Sequence, residues 1–302
     1  MERIGELAAI ATVMCWTTGA LFFERGIKHI GVLTVNFIKV VIAFLLLMIT
    51  STVFHGMPLP LDATLHNWIF LSLSGFVGFV ITDMFLFSAY NTVGPRIAML
   101  FMAFSPPLTA GIAFLFLGES LGQRGLLGMS LVITGIILAI VGRSGNGNFG
   151  SLDFLKIKKE DRRGYLFSFL ASLGQSIAIV LSRVGIQDYN AIGGTQIRLF
   201  TAIIGFGLIS LIMYRGKNLK DAAKNPAGLK YTSIGSIFGP FLGVTLSLIA
   251  IQQTSVGIAS TIFGLTPIMI IVPELLILKK RIKPLEIVGA VVAVCGTAMF
   301  FL

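Results

Sequence analysis

The chain has 302 residues, 55% of them hydrophobic and only 12% charged, with a mean hydropathy of +0.92. A soluble globular domain carries about twice that share of charge, so a water-soluble enzyme or binding module is excluded, and the long apolar runs separated by bunched charges are those of a polytopic helical membrane protein. The net charge of +10 sits on lysines and arginines in the loops, where it orients a membrane chain, and implies no nucleic-acid partner.

In chain order, ten spans are expected at 6–23, 32–54, 67–90, 96–117, 125–142, 164–184, 192–214, 230–252, 257–278 and 285–302. The first run lies behind Glu2, Arg3 and Glu6 and aligns with a later span, so it does not read as a cleavable signal peptide. Cys15 and Cys295 fall inside apolar spans and suggest neither a disulfide framework nor a zinc site. Two polar connections stand out. Arg143 to Arg163 reads as a linker, and Arg215 to Gly228 has room for a short surface helix.

The two halves resemble each other. A shift of 159 residues lays Gly26-Ile27 on Gly185-Ile186, Lys39 on Arg198 and Ala43 on Ala202; a shift of 161 lays Gly78 on Gly239, Ser105-Pro106 on Thr266-Pro267, and Gly128 and Gly135 on Gly289 and Gly296. Five spans per half is an odd number, so the second half starts on the opposite side and the halves are expected to be inverted. The fold class is therefore all-α, ten transmembrane helices as two inverted five-helix repeats, 1–142 and 164–302, joined by 143–163. Internal repeats of this kind pair around a central site in many transporters.

Several polar residues lie deep in the spans. Asp83 is well inside the third, where an ionised carboxylate costs on the order of several kcal/mol unless paired or hydrated. It reads as a coupling acid, a ligand for a cationic group, or a structural acid bonded to a neighbouring helix. Phe87 and Tyr90 share its helix face. Lys39 and Arg198 each lie about 10 Å into a span, at 1.5 Å per residue. They read as anion-binding cations, as partners of Asp83, or as snorkelling side chains. For Lys39 snorkelling is the favoured reading. Trp16, Thr17, Asn36, Ser105, Gln175, Gln196, Gln252 and Thr266 complete the candidate substrate contacts, although such groups also tie helices together. Pro106 and Pro267 are expected to kink their spans, and Glu274 to pair with Lys279 or Lys280. The glycines of spans five and ten suit close packing, as peripheral supports or as a homodimer contact.

These residues carry a resemblance. Gly5-Glu6-Leu7 with Trp16 and Thr17-Thr18, Asn36 with Lys39, and Ser105-Pro106 followed by Leu117-Gly118-Glu119, Gly128 and Gly135 are similar to the EamA-type drug/metabolite transporter family across essentially the whole chain. Lys279-Lys280 replaces the Gly-Glu pair in the second half, and Gln175 stands where the first has Trp16. The resemblance implies secondary transport of a small organic metabolite, amino acid or drug by alternating access in a plasma or inner membrane, with efflux favoured. A sugar-phosphate or organic-anion exchanger is the alternative, conditional on Lys39 and Arg198 meeting in one cavity. No P-loop, HExxH or Gly-x-Ser-x-Gly motif is present, so neither an intramembrane enzyme nor internal ATP hydrolysis is expected. No cofactor or metal is called for; the proton is the candidate coupling ion at Asp83.

The odd-numbered loops hold eighteen lysines and arginines, and the other side holds only Arg3, Arg124 and Arg183. That bias puts both termini outside, whereas the family is usually drawn with both inside. A C-terminal reporter that works only in the cytoplasm is expected to stay silent. A strong signal overturns the orientation.

Overall fold

The computed structural model describes residues 4–105, 107–109, 111–112, 123–144, 159–253, 259, 262–276 and 282–299. Among these residues the regular structure is entirely helical. The helices are α1 Ile4–Ile30, α2 Val32–His55, α3 Leu65–Thr92, α4 Pro95–Phe101, α5 Gln123–Ser144, α6 Lys159–Ile186, α7 Ala191–Tyr214, α8 Lys217–Ala223, α9 Pro226–Gln253, α10 Thr266–Met269, α11 Ile271–Leu276 and α12 Pro284–Met299. Six of them, α1, α2, α3, α6, α7 and α9, are long and apolar enough to cross a membrane; parts of α5 and α12 are shorter apolar helices. The expected spans 96–117 and 257–278 fall partly outside the described residues, as do Pro106, Leu117-Gly118-Glu119 and the pairing of Glu274 with Lys279 or Lys280. The polar stretch after span seven does hold a short helix, α8.

Helix α1 runs a full turn or more beyond the expected 6–23. The apolar run stops at Glu24, but the helical ladder runs on to Ile30, and Lys28 Nζ pairs with Glu24 Oε1 at 3.0 Å one turn on. The chain then reverses at one residue, Gly31, whose φ of +78° is open to glycine without strain. Gly94, at φ +83°, does the same ahead of Pro95, which starts α4 with a φ already suited to a helix. Thr64 and Asn67 close a reciprocal cap at the start of α3, with Thr64 N–H donating to Asn67 Oδ1 at 2.9 Å and Asn67 N–H donating to Thr64 Oγ1 at 3.2 Å.

Two helices are wound loosely at matching places. Within α3 the stretch Phe76–Ile81, and within α9 the stretch Ile237–Gly243, follow the wider π pattern. Thr82 N–H reaches back five residues to Val77 O, and Val244 N–H to Gly239 O. Pro240 lies in the second stretch, and a proline there has no N–H for the regular ladder. Each π turn re-aims the side chains beyond it, and Asp83 comes directly after Thr82, whose N–H closes the first of them.

Packing obeys the repeat. Ala43 of α2 and Ala202 of α7, matched in sequence, are both fully buried in one cluster with Leu47 and Phe206. Ser74 of α3 donates to Ala178 O at 2.8 Å and meets Ser182 Oγ at 2.7 Å, tying α3 to α6. At one end of the bundle, Tyr189 O–H donates to Asp62 at 2.8 Å and Asn67 Nδ2 donates to Gly185 O at 2.8 Å, joining the connections of the two halves. Burial and the bond to Asp62 push the Tyr189 phenol up from its ordinary value.

The glycines of spans five and ten face each other. A Cβ on Gly135 would collide with Gly289 O and the backbone of Ala293, and a Cβ on Gly289 with Gly135 O and the backbone of Ala139. Gly296 meets Gly128 O and Val132 N in the same way. The stripe expected as a possible dimer contact is therefore used up inside the chain, where it lets α5 and α12 touch backbone to backbone. Gly135→Leu is expected to lower stability by about 1–3 kcal/mol through overpacking, read as a fall in melting temperature in detergent. An unchanged melt would mean that α5 and α12 are not held by this contact.

Candidate functional site

A cavity opens between α1–α4 on one side and α6, α7 and α9 on the other, with the segment around α10 closing it. Its volume is about 180 Å³. That is room for a small organic molecule. The lining tracks the internal repeat closely. Trp16 lies there with Gln175, Phe23 with Ser182, Lys39 with Arg198, Gly78 with Gly239, Asp83 with Val244, Tyr90 with Ile251, and Ser105 with Thr266. Of the 29 described lining residues, 26 fall into such pairs at an offset of 159 or 161. The wall is thus one set of positions used twice, filled with different chemistry each time.

Its charged centre is an ion pair. Lys39 Nζ of α2 donates to Asp83 Oδ2 of α3 at 2.6 Å, with the two side chains only 3% and 14% exposed. The ammonium sits over the Phe87 ring at 3.8 Å and near the Phe23 ring at 5.4 Å. Lys39 therefore does not snorkel to the interface. Its side chain is buried against aromatic rings, and its carboxylate partner lies within direct hydrogen-bond reach. The alternative in which Lys39 bonds Asp83 is the arrangement present. Asn36, one turn before Lys39, donates to the Asp83 carbonyl at 3.4 Å and holds the α3 backbone against α2.

Arg198 of α7 is 7% exposed and lines the same cavity from the other half. Gly75 of α3 lets this happen: a Cβ there would run into the Arg198 backbone. Gly78 clears the path of the guanidinium, since a Cβ on it would come within 3.2 Å of Arg198 Nη2. The guanidinium stacks 5.2 Å from the Phe79 ring, its Nε is buried without a partner, and it makes no hydrogen bond to a described residue. Lys39 and Arg198 thus converge on one cavity, but among the described residues only Lys39 has an ion-pair partner there.

The uncharged candidates divide. Trp16, Tyr90, Ser105, Gln175 and Thr266 line the cavity. The Trp16 indole lies against Gly243, and its ring is 5.1 Å from that of Phe263. Ser105 and Ser176 hydroxyls meet at 3.1 Å, and Thr266 Oγ1 donates to Phe263 O at 2.6 Å, so both lining hydroxyls also serve the helices. Thr17, Asn36, Gln196 and Gln252 do not line it. Thr17 is buried in the packing of α1. Gln196 donates to Pro58 O at 2.8 Å, and Gln252 to Tyr189 O at 2.6 Å; both amides knit the ends of spans to loops, which is the commoner use of such groups.

Sequence reasoning did not single out Phe23, Phe79, Met99, Ser182 or Ser247, all of which line the cavity. Two signals were available. Phe79 is one turn before Asp83, on the same face, and Ser182 is the repeat mate of Phe23.

Known proteins share this architecture. The model of the EamA-like transporter family matches residues 3–141 and again 162–302, and the chain belongs to that family. It is a multi-pass membrane protein of the drug/metabolite transporter type. Among curated proteins it is 23% identical over 238 residues to the uncharacterized transporter YyaM of Bacillus subtilis (strain 168), covering 76% of this chain and 71% of the relative. A crystal structure aligns over 99% of this chain and 96% of its own, with a TM-score of 0.66 at 16% identity, a likeness of fold.

Removing one member of a buried ion pair strands the other, at a cost of about 3–5 kcal/mol, whereas replacing both by apolar residues is often neutral. Asp83→Asn is expected to destabilise the protein clearly, and Lys39→Met with Asp83→Leu to recover most of the loss, in a thermal melt. Equal losses in the single and double variants would show that the pair is not the source of the effect.

Proposed function

We propose that the protein is a secondary active transporter that carries a small organic solute through the cavity between its two halves. The observation that carries this reading is the doubled lining. A cavity built from matched positions of two repeats is suited to a site that opens first to one side and then, by rocking of one half on the other, to the opposite side. The halves are read as inverted, as the five-span count requires. A scaffold without transport would have filled this space with apolar side chains. Here it holds Lys39, Asp83, Arg198 and the Gln175 amide. Membership in the EamA-like family supports transport over catalysis. Efflux is the direction proposed, by analogy with the family alone, and a plasma or inner membrane the location.

Asp83 is the proposed coupling group. It faces the cavity, and its charge is held by a neighbour across a single 2.6 Å contact that a proton would release. Trp16, Phe23, Phe87 and Tyr90 would enclose the body of the solute, and Gln175 would orient it.

The test is flux of a metabolite panel in vesicles reconstituted with the full chain, with and without a pH gradient. Wild type is compared with the Lys39→Met, Asp83→Leu double variant. Gradient-driven flux is expected in wild type and its loss in the folded double variant. Flux that stays gradient-driven in the variant removes Asp83 from coupling, and no flux of any solute in wild type overturns transport.

A further inference from the structure

We infer that the cavity takes an organic monocarboxylate, whose carboxylate docks on Arg198 in the place that Asp83 fills in the other half of the chain. The inference deepens the transport reading and rests on it for every step after binding. In the first half the cation Lys39 on α2 is answered by Asp83 on α3 at 2.6 Å. In the second half Arg198 stands at the position of Lys39, 159 residues on, and Val244 at the position of Asp83, 161 residues on. All four line one cavity. The repeat thus builds the same cation twice and its counter-ion once.

A buried guanidinium without an anion is costly in a low-dielectric setting. Arg198 is 7% exposed, its Nε is buried without a partner, and it makes no hydrogen bond to a described residue; the Phe79 ring lies 5.2 Å away and the Asp83 carboxylate acts on it only at a distance. Asp83, the one described carboxylate in the lining, is bonded to Lys39. The planar fork of Arg is suited to a carboxylate, which it binds through two parallel N–H donors.

The charge count selects among anions. Lys39, Asp83 and Arg198 leave one net positive charge among the described lining residues. A monocarboxylate cancels it. A phosphate dianion would leave a negative surplus, a zwitterion would leave the positive charge in place, and a cation would double it. The Phe79 ring lies beside the guanidinium, and Leu248 and Phe263 are among the apolar side chains of the same lining, so the body of the solute is expected to be largely apolar or aromatic.

The experiment uses the full chain in detergent and three probes of one shape: 3-phenylpropionate, 3-phenylpropionamide and 3-phenylpropylammonium. Binding is read by tryptophan fluorescence and by the shift in melting temperature at constant ionic strength. Wild type is expected to prefer the carboxylate over the amide by about tenfold or more, the scale of a charge-assisted hydrogen bond. Arg198→Gln is expected to lose that preference. Val244→Asp, which supplies the missing anion within the chain, is expected to lose it as well while keeping its fold, so the test does not depend on Arg198→Gln being stable. Lack of preference in wild type overturns the inference, as does a preference that survives in either folded variant. Carboxylate preference without flux in vesicles would leave this site standing and remove transport. Flux without carboxylate preference would do the reverse.

Discussion

A charge carried into the hydrocarbon layer needs its counter-charge supplied from within the chain, because bulk water is not there to do it. The Lys39–Asp83 pair meets that need, and much of the first half is arranged to make it possible. The π turn at Phe76–Ile81 sets the facing of Asp83. Asn36 grips the Asp83 carbonyl, and Phe23 and Phe87 screen the ammonium with their ring faces. Glycine at 78 lets the second half bring its own cation alongside. Each of these features would be a defect if the pair were absent: a loosened helix, a buried amide, a missing side chain in a packed wall.

The second half repeats the frame without repeating the chemistry. Its π turn at Ile237–Gly243, its buried Ala202 and its cavity-lining Arg198 answer their mates in the first half. Yet Trp16 is opposed by Gln175, and Asp83 by Val244. A duplicated frame gives a wall that either half can offer to a solute. Divergence of the lining gives that wall a polarity, with a closed ion pair on one side and an open cation on the other. The backbone symmetry concerns how a cavity can open, and the side-chain asymmetry concerns what it can hold.

Much of the fold was legible in the sequence, because lipid leaves few options. Long apolar runs must be helices, so α2, α3, α7 and α9 could be placed to within about a turn, while α1 and α6 run further than expected. The limits of that reading are physical. Hydropathy loses a helix where charges begin, as beyond Glu24 in α1, since charge ends an apolar run and not a hydrogen-bond ladder. It also cannot tell which face of an apolar helix looks inward, because lipid and protein neighbours are alike apolar. That is why Gln196 and Gln252, equal to Gln175 by composition, could not be separated from it until Pro58 and Tyr189 were seen to take their amides.

From the sequence alone came the repeat, the expectation of an odd span count, and the rare ionisable residues Lys39, Asp83 and Arg198, each made conspicuous by the cost of placing it in an apolar run. Pairing was decided only by the tertiary structure. Whether Asp83 would meet Lys39, Arg198 or neither depends on how α2, α3 and α7 cross, and those crossings are set by small residues such as Gly75 and Gly78 that carry no sign of their partner. The sequence therefore named the charges. The packing of helices, which joined two residues 44 positions apart in the chain, decided which charge was left with an open hand.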